Sequence, residues 1–386
     1  SMRKTDLTPA LQRRALPIAG HSGQWAVLPL PTPVEVEIDR ATQDALWRGG
    51  RALEHLQGRL SALADTRVLM RLLNRREAVA SSQIEGTHTN VAELLYFETV
   101  QDDGHAPADA RVTYNYALAF QHGVQCLEQG QPIDLTLIQA MHRILFTGAG
   151  DVRGTPGTWR TGQNWIGPLG GIQYSHYNPP PPEQVPACLA EMRCVLEFEP
   201  DSVRAPSILM RAAIAHAQFE AIHPFEDGNG RIGRLLIPLL FLQDGYPPLH
   251  LASALKARQA EYYAALLGVQ MKLAWSPWLQ LFANCVVEAC QQTDRAIAAL
   301  WALREHWRAQ LTHLRADAAA HRAADYLLHQ PVIRVSTLAE ALAISFPAAN
   351  KAIAELVQRG IVREAGPQRR NRVFVAEAVA QVLNTL

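Results

Sequence analysis

Apolar residues recur at three- and four-residue spacing over most of this chain, and that period predicts helices rather than strands. It gives helices over about 40–63, 65–85, 90–100, 110–129, 134–146, 183–197, 204–222, 230–243, 254–271, 276–297 and 297–315. In one, Leu135, Ile138, Met141, His142 and Leu145 follow Asp134, a short carboxylate suited to capping the first turn. In another, Leu209, Ala212, Ala213, His216 and Phe219 mark the buried side of the run from Pro206 to Ile222. Residues 2–40 are broken by prolines and predict an extended wrap. The period changes in 157–177, where Trp159, Trp165, Ile166, Ile172 and Tyr174 between glycines predict a short hairpin. Pro179–Pro182 then form a stiff extended exit.

The character shifts again at 318. AADYLLHQ predicts one helix, and Thr337-Leu338-Ala339-Glu340 reads as a capping box that starts a second. Ser345-Phe346-Pro347 opens a third, with Asn350 and Lys351 on its first turns, and GIVREAG and QRRNRVFVA read as two strands around a basic turn. Three helices and such a wing resemble a winged helix–turn–helix. Within 321–386 eight Lys and Arg stand against five Asp and Glu, with Arg369, Arg370 and Arg372 together in the wing. That is a modest footprint for DNA phosphates, and a protein-docking or dimer module is the other reading.

Composition narrows the class. The 386 residues support two or three domains, each large enough for a core. Lys plus Arg equals Asp plus Glu at 36 each, so no global field selects a nucleic acid or a membrane. No run of 18 apolar residues and no signal peptide is visible, which predicts a cytoplasmic protein away from membranes. Cysteines 126, 188, 194, 285 and 290 are odd in number and lack any CxxC, as free thiols in a reducing compartment would. The 14 histidines show no metal-ligand spacing.

The chemistry is concentrated in residues 223–234, HPFEDGNGRIGR. One His, one Asp, one Asn, two Arg and three Gly make poor core, so this is a loop between two buried helices. Its glycines let backbone N–H groups converge on one point. The next helix begins near Gly230, so its positive end faces that point and favours an anion. Arg231 and Arg234 supply charge for a polyphosphate, and Asp227 is a hard oxygen ligand suited to Mg²⁺. His223 can take a proton near neutral pH. Base, metal ligand, anion nest and charge clamp within one loop point to phosphoryl or nucleotidyl transfer.

This run resembles the signature of the Fic (filamentation induced by cyclic AMP) family, HxFx(D/E)GNGRxxR, at every specified position. The resemblance implies a mainly α fold: a Fic helical bundle with a short β-hairpin flap, joined here to a small α/β winged-helix domain. It implies a protein adenylyltransferase that moves AMP from ATP to a Ser, Thr or Tyr hydroxyl of a protein target, with Mg²⁺. His223 would deprotonate the hydroxyl, Phe225 would anchor the loop, and Asp227 would hold the metal. Gly228, Asn229 and Gly230 would hold the α- and β-phosphates, with Gly233 in the same nucleotide-binding run. Arg231 and Arg234 would grip the β- and γ-phosphates. The GNGR form is typical of members that transfer AMP.

A second motif lies upstream. In EAVASSQIEGT, 77–87, Ser81 and Glu85 share a helix face, and Gly86 fits the position just past a helix end. It resembles the Fic inhibitory motif (S/T)xxxE(G/N), whose glutamate pairs with the second arginine, here Arg234. That implies an N-terminally self-inhibited enzyme able to modify itself. The 157–177 hairpin resembles the Fic flap through Gly157, Arg160, Asn164, Ile166 and Gly167. The resemblance implies that Asn164, Ile166 and Gly167 position an extended target segment by main-chain pairing. Tyr263, Leu266 and Gln270 share a helical face that could receive adenine.

The resulting division is an N-terminal region with the inhibitory helix at 2–110, a catalytic domain at 111–317 and the winged helix at 318–386. Expected partners are ATP and a protein target, with a second copy of the chain and DNA as further candidates. Two other functions stay open: removal of AMP by the same residues, with Glu85 positioning water, and a DNA-binding regulator with a nucleotide-sensing domain. The intact His223 argues against the last, since a sensor needs the anion nest but no base.

Overall fold

The computed structural model describes residues 2–63, 66–100, 108–150, 152–197, 207–365 and 372–385. The N-terminal wrap holds more structure than its prolines suggest. Strands β1 (Ala15–Pro17) and β2 (Trp25–Val27) form a two-stranded antiparallel ribbon with Leu16 opposite Ala26. The Val27 N–H donates to Asn178 O, which ties the ribbon to the far end of the 157–177 segment.

Four helices then build one side of the core: α1 (Arg40–Ser61), α2 (Arg67–Ile84), α3 (Val91–Val100) and α4 (Ala108–Glu128). Asp39 caps α1 through the Thr42 N–H at 2.8 Å, and Asp134 caps α5 (Leu135–Leu145) as expected, through the Leu137 N–H at 2.7 Å. The expected helix over 183–197 divides into Val185–Glu191 and Arg193–Leu196.

At the centre lies α6 (Ile208–Ile222), buried at every residue. Among its polar side chains Gln218 donates to Leu30 O at 2.9 Å and His216 Nε2 meets Tyr262 Oη, whereas Glu220 Oε1 is left without a partner. The five-residue connection from His223 doubles back into α7 (Asn229–Gln243), which packs along α6. The expected 254–271 helix breaks at Arg258 into α8 (Ala252–Ala257) and α9 (Gln259–Lys272). The two helices expected over 276–315 are one, α10 (Trp275–Gln310). It runs beside α1, held by Gln280 Nε2 to Thr42 Oγ1 at 2.9 Å and Arg59 to Asp294 at 3.0 Å. Gly49 lets α1 also approach α6, because a Cβ there would collide with Leu209.

The hairpin expected at 157–177 is not a pair of strands. It reduces to one antiparallel bridge, Ile166 to Tyr177, over a 3₁₀ turn at Ile172–Tyr174. Gly170 and Gly171 take φ of 126° and 108°, which curls the chain out of strand geometry.

The tail contains α11 (Ala319–Leu327), β3 (Val332–Arg334), α12 (Val335–Leu342), α13 (Phe346–Gln358), β4 (Arg363–Ala365), β5 (Val373–Val375) and α14 (Glu377–Asn384). The strands form an antiparallel sheet in the order β3-β5-β4, with Ile333 and Glu364 on either side of Phe374. Thr337 is not a cap. β3 runs straight into α12 at Val335, which puts Thr337 inside the helix. Ser345 does cap α13, through the Ala348 N–H. The basic wing residues Arg369 and Arg370 lie outside the described residues. Arg372 is paired within the tail, donating to Asn350 Oδ1 at 3.1 Å and lying 3.6 Å from Glu364. The tail's apolar residues continue into the main core, and Thr99 of α3 donates to Val332 O at 3.1 Å.

Candidate active site

The loop between α6 and α7 is shaped by backbone geometry and three rings. His223 ends α6 in the left-handed region at φ 51°, which costs a residue with a Cβ about 1–2 kcal/mol. Phe225 is fully buried and stacks on the His142 ring, centroids 3.7 Å apart. His142 Nδ1 accepts the Gly157 N–H at 2.8 Å, so its proton is on Nε2, which donates to Asp227 O at 3.0 Å. Burial lowers the His142 ring to about 4, which keeps it neutral in this role. Gly228 follows at φ 77°, where a Cβ would stand 2.7 Å from the Phe146 ring. Only glycine fits.

Asn229, expected on the phosphates, uses its side chain on the loop itself. Its Oδ1 accepts the Phe225 N–H and its Nδ2 donates to Phe225 O, both at 2.8 Å. What remains open to an anion is the first-turn N–H groups of α7, which no helix satisfies internally. Asp227 Oδ1 accepts the Gly228 N–H at 2.6 Å and faces Arg231 Nη2 at 3.4 Å, with a third of its side chain open to solvent. One exposed carboxylate beside an anion nest suits Mg²⁺, which takes few protein ligands and completes its shell with waters and phosphates. Among the described residues no three His, Cys, Asp or Glu cluster to hold a metal by themselves.

Arg234 is almost fully buried and aims back across the cleft at the end of α2. Its Nη2 donates to Glu85 Oε1 at 2.6 Å and to Ser81 O at 3.1 Å, and its Nε donates to Ser81 Oγ at 2.8 Å. Burial would lift the Glu85 carboxyl, but Arg234 outweighs it and holds it below the usual range. Burial likewise works against the Arg234 charge, and Glu85 more than compensates. A Cβ on Gly230 would collide with Glu85 Oε1, so the carboxylate lies directly on the first turn of α7. Gly86 ends α2 at φ 92°, and the Ile84 carbonyl accepts from Gln259 Nε2 at 3.1 Å and Tyr263 Oη at 3.4 Å. These bonds pin the end of α2 to α9.

His223 lines a cleft of about 580 Å³ that it shares with Glu85, Gly230, Arg234, Ile166 and Tyr263. Burial is the main cause that lowers its ring to about 4, with Arg160 adding to it and Glu85 opposing. The buried Arg160 donates Nε to His223 O at 2.7 Å and Nη2 to Pro180 O at 2.5 Å and Ile222 O at 3.3 Å, a cation on the C-terminal carbonyls of α6.

The structure brings together most residues singled out above. Ser81, Glu85, His223, Asp227 and Arg231 converge with Arg234 on one side, and Ile166 and Gly167 border the same cleft. Gly167 packs against the Ser175–His176 backbone, where a Cβ would come within 2.9 Å of Ser175 Cα. Asn164 is turned inward, donating to Phe225 O at 3.2 Å, and so supports the loop. Gly233 faces Glu220 rather than the open cleft, for a Cβ there would stand 2.6 Å from Glu220 Oε1. Tyr263, Leu266 and Gln270 do line the cleft. Sequence reasoning gave no role to Glu220 or to Tyr262, whose Oη meets His216 Nε2 at 2.8 Å. The three-residue spacing of Glu220 and His223 on a helix was the available signal.

Comparisons agree with this arrangement. Residues 132–241 match the Fic/DOC family model and residues 43–125 the Fic/DOC family N-terminal model, together half of the chain. The protein adenylyltransferase fic-1 of Caenorhabditis briggsae is 36% identical over 150 residues, 39% of this chain but 27% of that protein. The protein adenylyltransferase Fic of Drosophila ananassae is 27% identical over 252 residues, 63% of this chain and 47% of its own length. The chain thus spans between a quarter and a half of these relatives. A Fic family protein from Desulfovibrio desulfuricans G20 shares the fold with a TM-score of 0.55 at 20% identity, over 88% of this chain and 97% of that one.

Proposed function

This chain belongs to the Fic/DOC family, and on that premise we propose that it transfers the AMP group of ATP to a protein hydroxyl under restraint by its own Glu85. The observation that carries the reading is the loop 223–234, in which a neutral imidazole, the first turn of α7 at Gly230 and the buried Arg234 border one cleft, with Arg231 buried beside Asp227. The similarity to proteins named protein adenylyltransferase supports the same reaction.

In the forward step the target hydroxyl loses its proton to His223 as its oxygen bonds to the α-phosphorus, and pyrophosphate leaves. His223 is unprotonated at neutral pH and needs no prior deprotonation. The α7 amides hold the α- and β-phosphates, and Arg231 and Arg234 the outer ones. Asp227 is the residue to hold Mg²⁺, which neutralises phosphate charge when bound. Arg234 is occupied by Glu85, so the γ-phosphate lacks its arginine and the α-phosphorus is not held in line.

The deciding experiment incubates the Glu85→Gly protein with Mg²⁺ and ATP labelled at either the α- or the γ-phosphate. Label retained on protein from the α-position alone supports AMP transfer. Label from the γ-position would make the chain a phosphotransferase and sink the proposal. Loss of AMP from a pre-modified protein incubated with the parent, which keeps Glu85, with no incorporation by Glu85→Gly, would assign the reverse reaction.

A further inference from the structure

Glu220 takes no part in the chemistry above, yet it occupies the centre of the site. It lies on α6 one turn before His223, is 6% exposed, and lines the cleft with Glu85 and Arg234. Its Oε2 stands 3.7 Å from His223 Nδ1, and its Oε1 has no hydrogen-bond partner. His223 Nδ1 has no side-chain partner, and the Glu220 backbone also acts on the ring as a hydrogen-bond partner that raises it. Polar atoms left unpaired on two adjoining buried side chains are costly, and an apolar side chain would serve packing better. Opposite them stands Gly233, where any Cβ would crowd the carboxyl. Space has been kept for this group.

We propose that Glu220 is the positioning residue of His223: its carboxylate takes the Nδ1–H of the imidazole, so that Nε2 faces the cleft as the base. The proposal rests on the AMP-transfer reading. The 3.7 Å separation closes by a small side-chain rotation, as catalytic hydrogen bonds that are long without substrate tighten in the reacting complex. In the step, a bond forms between the target oxygen and the α-phosphorus while the bond to the β-phosphate oxygen breaks. The hydroxyl proton passes to His223 Nε2, and the imidazolium then carries its charge beside the Glu220 carboxylate. A base oriented by a third group is the arrangement that activates nucleophiles in acyl transfer as well.

The electrostatics fit this division of labour. Burial pushes Glu220 up to about 7, with Arg234 pulling it down and Glu85 pushing it further up. The other groups around the pair are Arg160 beside His223, Tyr262 from α9, and His216 one turn back on α6. Burial keeps His216 neutral, lowering it to about 3, and keeps the Tyr262 hydroxyl protonated. Of these groups Glu220 is the one whose charge changes near neutral pH. Because Glu85 opposes that ionisation, removing Glu85 both frees Arg234 and charges the pair.

The test uses the full chain carrying Glu85→Gly, with and without Glu220→Gln, an amide of the same size. Nitrogen-15 histidine NMR reads the His223 tautomer and its titration without nucleotide, so it stands whether or not AMP is transferred. The Glu85→Gly protein is expected to carry its His223 proton on Nδ1 and to show a second inflection as Glu220 ionises. The second inflection vanishes in the Gln variant, whose amide oxygen can still accept the Nδ1–H but cannot ionise. In kinetics, Glu220→Gln lowers kcat on the order of ten- to a hundredfold with KM for ATP little changed, and Glu220→Asp recovers part of the loss. A proton on Nε2 in the Glu85→Gly protein, or kcat and the second inflection unmoved by Glu220→Gln, would overturn the proposal. If the Gln variant does not fold, the tautomer and second inflection of the Glu85→Gly protein decide alone. The NMR signature without AMP transfer would support the Glu220–His223 pair and reject the transfer reading.

Discussion

Glu85→Gly should convert a nearly silent protein into an active one. Arg234 makes one bond to a full negative charge, Nη2 to Glu85 Oε1 at 2.6 Å; its other partners are the neutral Ser81 oxygens and, at 3.5 Å, Tyr262 Oη. A hydrogen bond to a charged group contributes about 1.5–3 kcal/mol net, even after the water each partner loses. Converted at 1.4 kcal/mol per tenfold, that opposes the γ-phosphate by roughly ten- to 150-fold. The geometric route gives the same scale, since a phosphorus misplaced by about 1 Å can cost on the order of a hundredfold. We therefore expect AMP incorporation to rise by about ten- to 150-fold, mainly in kcat, because the anion nest on α7 remains whole. The assay is the initial rate of self-modification from ATP labelled at the α-phosphate, parent against variant, with melting temperatures to exclude unfolding. Glu85→Gln, which keeps an oxygen near Arg234 without the charge, should fall between the two. Equal rates in a folded variant, or a slower variant, would refute the restraint.

Asp227→Ala should abolish transfer and remove the Mg²⁺ dependence of ATP binding, read by calorimetry with and without the metal; equal binding by the parent under both conditions would contradict this. In the Glu85→Gly, Glu220→Gln protein, where Glu220 no longer titrates, the remaining acid limb of kcat should lie near pH 4 rather than 6.5, because His223 is the active base when neutral and burial has lowered it to about 4. An acid limb at 6.5 that disappears in no other variant would return His223 to an ordinary solvated histidine. Stability should fall on acidification below about 6.5, where unfolded histidines take up protons that buried His142, His216, His223 and His250 refuse until about 3–4. Glu77 and Glu220, raised to about 7, oppose this above pH 4.5 because they hold protons in the fold that the unfolded chain has lost. Thermal melting between pH 7 and 4 measures the balance, and a flat or rising midpoint would show that the carboxyls dominate.

The helical period located most of the bundle because its helices bury one face and leave another polar. It failed where that contrast disappears. α6 is buried all round, so the pattern could not mark Glu220 as special among its neighbours. The expected break near residue 297 is absent: α10 continues through it, with Gln292 accepting from Arg76 of α2 at 3.0 Å. The ribbon of β1 and β2 depends on Asn178, far away in sequence, and three-residue strands carry little pattern. At the site, local chemistry was legible and distance was not. Residue types in 223–234 singled out His223, Asp227, Arg231 and Arg234, which the structure places together, and Gly86 marked the end of α2. That Glu85 meets Arg234 rather than Arg231 came from family resemblance, and the coordinates place that contact. Asn229 and Asn164 misled for one reason: a polar side chain in a tight loop has backbone partners closer than any ligand.

The central claim is that His223 is the base of AMP transfer, and one measurement addresses it directly. Single-turnover transfer of labelled AMP by Glu85→Gly is compared with Glu85→Gly carrying His223→Ala, with ATP affinity measured on both. The account predicts transfer reduced by at least about a hundredfold, the scale of a lost general base, with ATP affinity within a few-fold because the α7 amides and arginines are untouched. Transfer that persists in the double variant, with ATP bound as before, would contradict it.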